Sequence, residues 1–176
     1  DKPAFDELLA RSSRLSVLMT RQIIHRLQNP QTATGLTRPV AMALLGISAG
    51  VDLGAFAAGL QSQLGRLGRV AVVDAASVDR ALQRPGIANS ERGQLDADRA
   101  IGLHLDALEA EHEFVLLVAD ATPTGWTHRC SRRCDVTLLV ADATQPPELH
   151  AIERECLMHD AQRSEATETL VLLHPA

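Results

Sequence analysis

Three groups of residues have types and spacing that could do chemistry. The first is Gly46-Ile47-Ser48-Ala49-Gly50. It fits the G-x-S-x-G pattern in which a serine stands on a sharp turn between a strand and a helix. Asp142 and His174 follow in the chain order of an α/β-hydrolase triad, so Ser48, Asp142 and His174 are the candidate catalytic set for an autonomous serine hydrolase. Against it, no oxyanion segment of the His-Gly-Gly-Gly kind precedes the serine, and the turn follows the first strand rather than a later one.

The same loop can be read as a phosphate cradle, because a glycine-rich turn before a helix presents backbone N–H groups to an anion. Gly46, Ser48 and Gly50, with Asp120 as a magnesium-holding partner, form the candidate nucleotide site. The motif G-x-x-x-x-G-K-[ST] fails, however. Val51-Asp52 stands where Gly-Lys is needed, and a carboxylate there repels a phosphate. Sixteen of the 17 basic residues are arginine and the only lysine is Lys2. Chemistry that needs a lysine in the body of the domain is thereby excluded.

The third group is sulfur and imidazole. Cys130 and Cys134 lie one helical turn apart, and Cys156 precedes His159. These pairs lack zinc-knuckle spacing, so free thiols are expected and neither a metal nor a cofactor is assigned. The seven histidines are scattered, and none forms the i, i+4 pair of a metal helix. Asp120 and Asp142 each end an apolar run, where aspartate commonly caps a turn. Trp126 reads as a packing anchor.

The elements that must carry these residues follow from periodicity. Apolar residues at helical spacing from Phe5 to Leu27 predict an amphipathic helix, within a segment 1–29 closed by Asn29-Pro30. Residues 30–39 have no apolar period and read as a linker. Beyond it strands and helices alternate. Strands are expected at 40–45, 69–73, 114–119, 136–141 and 169–173. Helices are expected at 53–67, 76–82, 95–111, 126–133 and 147–163, with Leu95, Ile101, Leu105 and Leu108 inward on the third. Runs that are apolar throughout, each followed by a helix, mean a mostly parallel five-stranded sheet, doubly wound and Rossmann-like, over 40–176. Its carboxyl rim collects Ser48, Asp74, Asp120 and Asp142, where ligands bind in open α/β sheets. Val40–Leu60 carries one charge, Asp52, over a membrane-spanning length, but a strand, a turn and a helix account for it equally.

The 176 residues suit one domain with a core and an added element. A net charge of −5 and four aromatic residues argue against a nucleic-acid partner. Residues 1–39 carry a balance of +3 and residues 40–176 one of −8, which places a boundary at the linker. With no initiating Met, the chain is expected to be a fragment.

The segment from Phe114 to Asp142 resembles bacterial relatives of neuropathy target esterase, most specifically in Trp126…Arg129-Cys130…Asp135, and Thr169–Pro175 is similar to the same family. In that family a cyclic-nucleotide-binding domain comes first and a patatin-like phospholipase domain last. The resemblance implies that this chain is the intermediate region, similar to a MinD-type P-loop ATPase fold that has lost its P-loop, with residues 3–28 ending the preceding module. The patatin Gly-Gly-Gly-x-Arg-Gly and Asp-Gly-Gly or Asp-Gly-Ala segments are absent, so Ser48 is not equated with the patatin serine. What the resemblance implies is a non-catalytic linker or regulatory domain within a lysophospholipase or esterase. Its implied partners are the flanking domains of the same chain; separately, the apolar residues of helix 3–28, without their parent module, offer a surface for a second copy. It also implies a cytoplasmic location, with contact at the inner membrane only through the parent protein.

Overall fold

The computed structural model describes residues 40–158 and 166–174. The chain divides between Leu36 and Thr37 into two units, and the described residues all belong to the second. The expected helix at 3–28, the linker at 30–39, His159 and the end of the expected 147–163 helix lie outside them.

The second unit is built on β1 (Val40–Gly46), β2 (Val70–Val73), β3 (Phe114–Val118), β4 (Val136–Asp142) and β5 (Thr167–Leu173). All pairings are parallel, in the order β2-β3-β1-β4-β5. Among the described residues four α-helices intervene, α1 (Leu53–Leu64), α2 (Ala75–Leu82), α3 (Leu95–Glu111) and α4 (Gly125–Arg132), with a short 3-10 turn at Ile87–Asn89. A π-helical stretch, Glu153–Met158, precedes β5.

This order dictates which face each helix covers. The step from β1 to β2 runs one way across the sheet, and the steps from β2 to β3, β3 to β4 and β4 to β5 run the other. Right-handed crossovers therefore put α1 alone on one face and the remaining helices on the opposite face. The core divides accordingly. Leu53 and Ala57 of α1 pack on Leu44, Leu116 and Val140. On the other face Val78, Ile101, Leu105, Trp126 and Ile152 pack on Ala43, Leu45, Val115 and Leu117. The Val40–Leu60 run is strand, loop and helix, and among the described residues no helix is long and apolar enough to cross a membrane.

Two sequence expectations are corrected. Leu95 is 82% exposed rather than inward. The buried stripe of α3 is Ala97, Ile101 and Leu105, and at 100° per residue Leu95 lies about 200° away from Ala97. The helix expected from Pro147 starts at Ala151 instead. Pro146-Pro147 restricts the preceding backbone to extended conformations, and the start is fixed by capping. The His150 amide donates to Glu153 Oε2 at 2.8 Å, while Ile152 N lies 3.3 Å from His150 Nδ1, a reciprocal arrangement like a capping box.

Candidate functional site

The loop after β1 leaves the sheet at Gly46, and Gly50 has φ +76°, the left-handed region that glycine enters without strain. Asp52 then caps α1, accepting from Ala55 N at 2.9 Å. The carboxylate thus sits on the helix N-terminal amides, the position a bound phosphate would take.

Ser48 is half-buried, and its Oγ accepts from the Asp142 backbone N–H at 3.1 Å. The bond joins the loop after β1 to the end of β4. The Asp142 carboxylate points elsewhere: Oδ1 accepts from Thr144 N at 2.8 Å and Thr144 Oγ1 at 2.7 Å, and Oδ2 from Gln145 Nε2 at 3.2 Å. The Thr144 amide and hydroxyl hold this carboxyl below its ordinary range. Gln145 Nε2 also donates to Ala49 O at 2.8 Å, a second tie between the two loops. His174 follows Leu173, the register partner of Asp142, and so reaches the same rim. Its ring is exposed, and among the described residues no hydrogen bond joins it to Ser48 or Asp142. Ser48 and Asp142 are therefore brought together through a backbone amide, and His174 is not drawn into a relay with them.

Asp120, after β3, is likewise engaged. Its Oδ2 accepts from Thr124 Oγ1 at 2.6 Å and Asn89 Nδ2 at 3.4 Å. Asn89 Oδ1 in turn accepts from Trp126 N at 2.8 Å. Gly125 makes this junction close, since a Cβ there would stand 3.0 Å from Asn89 O. Asn89 is a pin that no sequence motif marks, because its partners lie more than 30 positions away.

The most specific sequence signature proves to be a set of fasteners. Trp126 is fully buried, with Nε1 donating to Val118 O at 2.8 Å. Arg129 donates to Asp98 Oδ1 at 2.5 Å, Ser90 Oγ at 3.0 Å and Ser90 O at 3.3 Å. It thereby ties α4 to the start of α3 and the loop before it. Arg133 extends the seam to Asp106 and Glu109. Asp135 Oδ2 accepts from Ala41 N at 3.0 Å, aligning the starts of β4 and β1. Cys130, Cys134 and Cys156 are buried, and burial pushes the Cys130 thiol well above its ordinary range. No group of three metal-ligating side chains occurs among the described residues.

At the carboxyl rim, then, Ser48 is bonded to the Asp142 amide, and Asp52, Asp120 and Asp142 are each engaged by nearby loop or helix groups. The arrangement can fix loop conformation, and the loop after β1, Gly46 to Asp52, carries no basic side chain of its own for a phosphate. No curated protein matches the chain. A family model described as the neuropathy target esterase family P-loop like domain matches residues 40–176. The five-stranded parallel sheet, with its glycine loop after β1, is the fold that description implies, and the chain belongs to the neuropathy target esterase family through this P-loop like domain.

Proposed function

We propose that residues 40–176 are a non-catalytic linker or regulatory domain of a multidomain patatin-like phospholipase, a lysophospholipase or esterase. Its neighbours in the chain are a cyclic-nucleotide-binding module and the catalytic domain, and its role is to couple them. No cofactor is assigned to it. The parent acts in the cytoplasm and reaches the inner membrane through its other domains.

The observation that carries this reading is the state of the rim. The loop after β1 has Val51-Asp52 in place of Gly-Lys, and the Asp52 carboxylate caps the helix that would hold a phosphate. Ser48 binds a backbone amide, and the carboxylates of Asp120 and Asp142 are held by their own loops. A general base must lie within hydrogen-bond reach of the proton it takes, and His174 bonds to neither Ser48 nor Asp142.

The test is hydrolysis of p-nitrophenyl butyrate by the 176-residue chain and by its Ser48→Ala variant. Neither is expected to turn over ester above the buffer rate. Turnover by the unsubstituted 176-residue chain that disappears in Ser48→Ala would establish an autonomous serine hydrolase and reject the regulatory reading.

A further inference from the structure

β5 is an edge strand among the described residues. Two bonds fix which way its backbone faces. Thr167 N donates to Asp135 O at 3.1 Å, and Ala143 N donates to Leu173 O at 2.9 Å. Odd-numbered residues of β5 therefore turn their amides and carbonyls toward β4. By alternation, Leu170 and Leu172 turn theirs to the open edge. Their side chains are 58% and 52% exposed and are in register with Leu139 and Ala141 on the same face. Together these four floor a groove of about 580 Å³ beneath the turn that follows β4. Among the described residues, the charged ones lining it are Asp142, Glu148 and Glu153, with no lysine or arginine.

We propose that this edge and groove bind an extended, basic and apolar segment of a partner polypeptide, which adds to the sheet as a strand beside β5. Its backbone pairs with the outward amides and carbonyls of Leu170 and Leu172. Alternate apolar side chains rest on the leucine floor, and lysine or arginine two positions before or after them, on the same face of the added strand, faces Glu148 and Glu153. Charge selects the occupant. A second copy of this chain brings a further acidic groove, and like charges oppose that pairing. The inference does not depend on the regulatory reading, since an esterase could carry the same edge.

The experiment titrates the full chain calorimetrically with the probe acetyl-Thr-Lys-Thr-Leu-Thr-Leu-Thr-Arg-Thr-amide, whose basic and apolar side chains share one strand face, and with its counterpart carrying glutamate for lysine and arginine. The basic probe is expected to bind saturably and the acidic one at least tenfold more weakly. Leu170→Pro removes an outward amide that makes no bond to β4, a change edge strands tolerate, and is expected to weaken the basic probe at least tenfold. Glu148→Lys is expected to weaken it severalfold. If Leu170→Pro loses its native circular dichroism, Leu170→Asp, at an exposed position, takes its place. No saturable binding, equal binding of both probes, or undiminished binding by the edge variant overturns the proposal. So does a dimer in sedimentation that the edge variant dissolves, which would assign β5 to a second copy.

Discussion

Arg129 shows how a motif residue can be fixed by stability rather than chemistry. Its side chain is 15% exposed and makes three hydrogen bonds across the α3–α4 junction. Removing the guanidinium leaves Asp98 and the Ser90 carbonyl short of a partner, so Arg129→Met is expected to cost about 2–4 kcal/mol in urea denaturation. The Arg129 hydrogen bond also holds the Asp98 carboxyl below its ordinary value of 3.8. A depressed native value means that the contribution is fully present above the unfolded carboxyl's value and is lost as pH falls through the native one. The parent chain should therefore lose stability on acidification below about pH 4, and Arg129→Met should lose less over the same interval. Parallel acid titrations of both proteins, followed by denaturation, check this; equal losses would remove Asp98 as the cause. Ser48 and Asp142 teach the complementary lesson. Their chain order suggests a triad, yet what joins them is an amide–hydroxyl bond between two loops 94 positions apart, and no spacing rule reveals that.

At the level of elements, the strands were legible because each is an apolar run of strand length bounded by turn signals. β1 to β4 fall within one residue of expectation, and β5 begins two residues earlier, at Thr167. There Thr167 N bonds to Asp135 O, and polar Thr167 and Glu168 hid the start of a strand on the open edge. The face of α3 was less legible. Leu95 is apolar, but the 100° step of the helix turns it outward once Ile101 and Leu105 are buried, and the smaller Ala97 takes the inward position. The consequence is measurable. Leu95→Gln should change stability by less than about 0.5 kcal/mol, whereas Ile101→Ala, at 2% exposure, should cost about 2–4 kcal/mol. Comparable losses in thermal or urea unfolding would contradict the assigned face. The start of the π-helical segment was hidden for a different reason: Pro146-Pro147 suits the first turn of a helix or an extended lead-in, and the His150–Glu153 cap that decides between them is a side-chain interaction.

For the whole molecule, the strand order turns one sequence observation into a functional argument. The loops after β1 and β3 leave toward opposite faces of the sheet, which makes their junction the topological switch point where ligands settle in open α/β sheets. The chain retains that crevice and fills its polar positions from within: Asp52 on the α1 amides, Thr124 and Asn89 on Asp120, Ser48 on Asp142. The fold and the family resemblance were both readable before the structure, because they rest on alternation and on a contiguous signature. The condition of the rim was not, because it rests on contacts between distant loops. The direct measurement is a calorimetric titration of the 176-residue chain with Mg²⁺–ATP. The account predicts no saturable heat up to millimolar nucleotide; stoichiometric binding at micromolar concentration, lost when Gly50 is replaced by valine in a variant that keeps its native circular dichroism, would contradict it.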